Sequence, residues 1–171
     1  MRIYVPATTS TLRTLAGAGE LGPAPLTAFA VTPGLREWYA DDDSDELEYA
    51  ASGQAVRASL RMVDADPLAA RRRVVLAADV ADDQVTVHDD LERGAVRVAS
   101  VITLAGLTSI HIDDADAQAT VAQAAAVMLE ADLGGERAQE LVDDAEGYEL
   151  SWYATQELDD VLASLADPDQ P

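Results

Sequence analysis

The chain has 171 residues, 49% of them hydrophobic, no cysteine, and a formal net charge of −21 from 32 acidic residues against 11 basic ones. A chain of this length fits one domain and buries roughly 70% of the surface it exposes unfolded, so a core needs neither disulfides nor thiolate-bound metal. A field of that sign repels phosphate backbones and anionic head groups, which sets aside nucleic acid and membrane as partners.

"RIYVPA" alternates as an opening strand that Pro6 stops. "TTSTLRTLAGAG" supplies hydroxyl caps, a Leu12/Leu15 spacing and terminal glycines, the marks of a short helix. Pro23 and Pro25 make "ELGPAPL" a loop. "TAFAVT" reads as a second strand, and Pro33 suits the first turn of a helix over "PGLREWYA". The clearest helix is "DDDSDELEYAASGQAVRASLRMV". Asp43 or Ser44 caps it, acids fill its first turn, and Tyr49, Val56, Leu60 and Val63 share a face; Gly53 marks a point where it can kink. "VVLAADV", "QVTVHDD", "AVRVASVITL" and "LTSIHID" are consecutive β segments, with "LERG" as a turn. An alanine-rich helix over "DADAQATVAQAAAVMLEADLGG" follows, then a helix over "ERAQELVDDAEG", a strand in "YELSWYA" and a last helix in "TQELDDVLASL". Consecutive β segments favour an α+β domain, with a mixed or mainly antiparallel sheet and helices packed chiefly on one face. It spans residues 1–166, with 167–171 a frayed tail.

The charge is uneven. From Asp113 onward 16 acids face Arg137 alone, whereas the stretch from Arg57 to Arg73 holds five arginines against Asp64 and Asp66. Arginine without lysine fits GC-rich coding, with a high-salt cytoplasm as the competing cause. The acidic C-terminal half can steer a basic protein toward itself; a solvated face that keeps the chain soluble is the plain alternative. No apolar stretch reaches the ~20 residues of a membrane span, and "MRIYVPATTS" has no signal-like apolar region, so the expectation is cytoplasmic.

Few motifs carry chemistry. Gly17, Gly19 and Gly22 spell a dinucleotide fingerprint, but a helix precedes them and prolines follow, so they end a helix instead. Asp41, Asp43 and Asp45 open like a calcium loop, yet Glu46 and Ser52 stand where its glycine and glutamate belong. Thr8–Thr11 can cap a helix or face an anion. Arg71–Arg73 reads as an exposed strand entry, and Trp38, Tyr39, Trp152 and Tyr153 as core and rim packing. His88 runs into Asp89 and Asp90; His111 runs into Asp113 and Asp114. Were their strands neighbours, two imidazoles and several carboxylates could bind Mn, Fe or Zn. The simpler reading puts Asp113 at a helix N-cap with Asp116 three residues on, or Asp114 in its place, and His111 opposite the Ile110/Ile112 face.

The segments "MRIYVPATTSTLRTL", "AFAVTPGLREWYA", "ELEYAA", "RRVVLAADV", "IHIDDADA" and "ELSWYATQEL" together resemble an uncharacterised family, a domain of unknown function, of small acidic proteins from high-GC Gram-positive bacteria. The resemblance runs from Met1 to about Leu165 and implies no activity, ligand or site residue. Two functions follow from the residues. One is a non-enzymatic protein-interaction or accessory domain with an acidic C-terminal half, without a cofactor. The alternative is a small hydrolase or binding protein dependent on a divalent metal, using His88, Asp89, Asp90, His111, Asp113 and Asp114.

Overall fold

Residues 1–39, 43–88, 90 and 92–166 are described by the structure, a computed structural model. Along the chain run β1 (Arg2–Ala7), α1 (Thr9–Ala18), β2 (Glu20–Leu21), β3 (Leu26–Phe29), α2 (Pro33–Trp38), α3 (Ser44–Ala65), β4 (Val74–Asp79), β5 (Val85–Val87) and β6 (Ala95–Val98). Then come β7 (Ile102–Thr103), β8 (Leu107–Ile112), α4 (Gln118–Ala126), α5 (Met128–Asp132), α6 (Glu136–Glu146), β9 (Ser151–Tyr153) and α7 (Leu158–Ala166). Seven strands form one sheet in the order β5-β6-β3-β1-β4-β8-β9, and β2 pairs with β7 in a separate ribbon. Every neighbouring pair in the large sheet is antiparallel. This is an α+β domain, as the run of β segments implies.

The alternation of side chains across a strand sorts the core into two layers. Ile3, Val5 and Ala7 of β1 and Val74, Leu76 and Ala78 of β4 face α1 and α7, where Leu12, Leu15, Leu158 and Val161 cover them. Tyr4, Val75 and Ala77 face the other way, beneath Leu35 of α2 and Leu47, Ala51 and Ala55 of α3. β4 is thus buried on both faces, which is why "VVLAA" is an unbroken apolar run. The far half of α3 turns Leu60 and Val63 to α4, α5 and α6, which build a third cluster rich in alanine. Helices therefore lie chiefly, though not wholly, on the α3 side.

Local chemistry sets the helix ends. Thr8 caps α1 in a reciprocal box with Thr11, and Gly19 closes it at φ 75°, a conformation glycine adopts without strain. Thr32 and Asp43 cap α2 and α3. Several expectations need correction. β1 runs through Pro6 because its ladder to β4 continues while its pairing with β3 is confined to Tyr4↔Phe29. Tyr49 is 76% exposed; Leu60 and Val63 are buried as expected, and Leu47, Ala51, Ala55 and Ser59 complete the buried face of α3. The alanine-rich segment is two helices, broken at Val127. β2 lies inside the expected loop. Among the described residues, no helix is long and apolar enough to cross a membrane. The expected tail, 167–171, lies outside the described residues.

Candidate functional site

α3 roofs the middle of the sheet but not its β8–β9 edge. The registers Val75↔His111 and His111↔Trp152 put these three side chains on the α3 side of the sheet. The link from α6 to β9 passes over this edge, and a cleft of about 720 Å³ is left between it, α3 and His111. Tyr49, Gly53 and Arg57 of α3 form one wall, and Tyr148 and Glu149 the other. A cavity of this size falls in the range of small-molecule sites.

Arg73 lies in this cleft, yet its side chain is 1% exposed and that of its partner Asp113 is fully buried. The two residues extend the paired ends of β4 and β8, where Val74 faces Ile112. The Asp113 carboxylate accepts from Arg73 Nε at 2.8 Å, Nη2 at 2.6 Å and the Arg73 backbone N–H at 2.6 Å. Nη2 also donates to the Tyr148 carbonyl at 2.9 Å, tying the α6–β9 link to the sheet. Nη1 is buried with no hydrogen-bond partner among the described residues. Nearby, Ser59 Oγ donates to the Ala7 carbonyl at 2.7 Å and accepts from the Val74 N–H at 2.8 Å, which anchors α3 on the same strand ends.

His111 Nε2 stands 2.9 Å from Ser109 Oγ. Burial without a charged partner lowers its pKa from the usual 6.5, so the ring is neutral near pH 7. Arg57 is held by Glu146 at 2.9 Å and by Gln139 at 3.2 Å. The cationic side chains of the cleft are therefore already paired with carboxylates.

The suggested metal ligands do not meet. His88 follows β5, at one edge of the sheet, and His111 lies on β8 near the other; four strands separate β5 from β8. Five spacings of about 4.8 Å put them roughly 24 Å apart, so they cannot share an ion. His88 Nδ1 lies 3.5 Å from the exposed Asp90 carboxylate, and Asp89 lies outside the described residues. Asp113 does not cap a helix; its carboxylate is the counter-ion of Arg73. Asp114 precedes a short 3₁₀ turn and accepts from Ser151 Oγ at 2.7 Å. Among the described residues, no group of three or more His, Asp or Glu is arranged to hold a metal.

Other expectations shift as well. Arg73 is no exposed strand entry, because its neighbour across the sheet is an acid. At the start of α1 the Thr8 hydroxyl donates to Asp66 at 3.1 Å, so a carboxylate faces the place proposed for an anion. Trp38 and Trp152 are 65% and 61% exposed, not core, and Arg93 stacks 4.1 Å from the Trp38 ring centroid. Asp41, part of the rejected calcium loop, lies outside the described residues. The Arg73–Asp113 pair escaped a reading along the chain. Its signal is an arginine just before one apolar strand and an aspartate just after another, visible only once the strands are paired.

Compared with known proteins, residues 1–162 match a family model described as "Family of unknown function (DUF6912)". No curated protein and no solved structure matches.

Proposed function

Since the chain belongs to this family of unknown function, we propose from its surface chemistry that it is a non-enzymatic interaction domain. It docks a basic, extended protein segment on the outer face of α6 and the open edge of β9. The observation that carries this reading is the charge of α6. Ala138, Val142 and Ala145 are its buried face, and Glu136, Glu140, Asp143, Asp144 and Glu146 are exposed beside a single exposed base, Arg137, three residues before Glu140. Glu140 stands four residues from both Glu136 and Asp144, and like charges at that spacing cost about 0.2–0.5 kcal/mol per pair. The last turn has no basic residue, so its acids also oppose the helix dipole. Glu146 is relieved by Arg57 and Asp143 by Gln139 at 2.6 Å, while Glu140 and Asp144 have no such partner among the described residues.

A helix that carries unfavourable charge at its own expense is suited to a cationic partner. Six residues beyond α6, Trp152 offers an exposed indole on the outer strand of the sheet, a surface for cation–π contact and strand addition. The −21 field steers a basic segment to this face. The test is fluorescence anisotropy with a labelled peptide of about ten residues alternating arginine and valine. Trp152→Ala is expected to weaken binding about tenfold or more while leaving stability within about 0.5 kcal/mol. Equal binding by the variant and the wild type would remove the proposed surface.

A further inference from the structure

We infer that the cleft beside Arg73 is a site for a small, uncharged, planar ligand carrying a carbonyl or amide oxygen. This site borders the proposed peptide surface, since Trp152 is the cross-strand neighbour of His111, but does not depend on it. The starting point is an inventory of one guanidinium. Nε and Nη2 of Arg73 are taken by Asp113 and the Tyr148 carbonyl, whereas Nη1, with two N–H groups, is buried without an acceptor among the described residues. A buried donor without a partner is rare in folded proteins and calls for water or a ligand atom to satisfy it. Arg73 is among the residues lining a cleft of about 720 Å³; Nη1 itself is closed off from it, so an acceptor reaches this atom by displacing the side chains that cover it.

The rest of the lining selects the ligand. An anion finds no unspent cation: Arg73 is neutralised by Asp113 and Arg57 by Glu146, while Glu149 adds a further negative charge. A cation would approach two guanidinium groups at close range. A neutral oxygen acceptor satisfies Nη1 without either penalty. Beside it, the neutral His111 ring holds Ser109 through Nε2 and has no Nδ1 partner among the described residues, so a second polar contact is open. Tyr39, Tyr49 and Tyr148 supply rings around the cavity; Tyr39 and Tyr49 are 39% and 76% exposed and gain cover from a flat body placed between them.

Gly53 is a position from which an added side chain can be directed at the cleft. It lies in the α3 wall, and a Cβ added there meets nothing within 4 Å. The experiment titrates the full chain with benzamide, benzoate and benzylamine, which share one ring and differ in charge. NMR follows the Arg73 guanidinium and the His111 ring. Benzamide is expected to shift both saturably with a Kd of about millimolar order, as befits so small a ligand, and the two charged probes to bind about tenfold more weakly. Gly53→Leu should keep its fold and its affinity for the basic peptide while losing benzamide binding. Equal or tighter binding of either charged probe would overturn the inference. So would an absence of shifts at the solubility limit of benzamide, the outcome if Nη1 is served by water alone, or undiminished benzamide binding in Gly53→Leu.

Discussion

Arg73 and Asp113 show how much can rest on one contact between two strand ends. Both side chains are out of water, and the carboxylate accepts three hydrogen bonds from Arg73. Removing one partner leaves a buried, uncompensated charge, which costs about 3–5 kcal/mol. Asp113→Ala should therefore lose that much stability in urea unfolding, a large part of the total for a single domain. A loss under 1 kcal/mol would mean that water reaches the pair. His111 makes a second prediction at the same scale. Its folded pKa lies below the unfolded value near 6.5, so the unfolded chain takes up more protons as pH falls through that value. The stability from the neutral ring is complete above 6.5 and is lost on acidification toward the lower folded pKa. Between pH 7.5 and 5.5 the wild type should lose more stability than His111→Gln; parallel losses would contradict a buried neutral imidazole.

At the scale of elements, what was legible in the sequence is what is chemically local. Thr8 and Asp43 cap the helices they precede, and the apolar run of β4 announces a strand buried on both faces. What was not legible depends on neighbours far along the chain. Tyr49 had the right spacing for a core face, but small residues, the alanines and Ser59, let α3 lie close against the sheet. Asp113 looked like a cap because Arg73 lies 40 residues earlier. The cleft follows from strand order and from the width of sheet that α3 fails to cover. Two substitutions test the local accounts by thermal unfolding. Thr8→Ala should cost about 1 kcal/mol through loss of the capping box. Gly53→Ala should add up to about 1 kcal/mol, since its Cβ meets nothing within 4 Å and alanine favours the helix. A destabilised Gly53→Ala would mean that α3 needs the glycine for its path.

Across the whole molecule, ion pairs tie the acidic half of the chain to α3. Arginines of α3 reach across to the acidic half: Arg57 holds Glu146 at 2.9 Å and Arg61 holds Asp132 at 2.8 Å, which keeps the Asp132 carboxyl below the usual range. These pairs fasten α5 and α6 to α3 and leave the outer acids of α6 facing solvent. Solubility alone requires only net charge, not repulsion concentrated on one helix. The most direct measurement pairs stability and binding in the double variant Glu140→Gln/Asp144→Asn. With repulsion relieved, its unfolding free energy should rise by a few tenths of a kcal/mol, while its affinity for the arginine–valine peptide falls several-fold more than that of Asp45→Asn/Glu46→Gln on α3. Unchanged relative affinity, or a loss of stability in the α6 variant, would contradict the proposal that these acids are held for a basic partner.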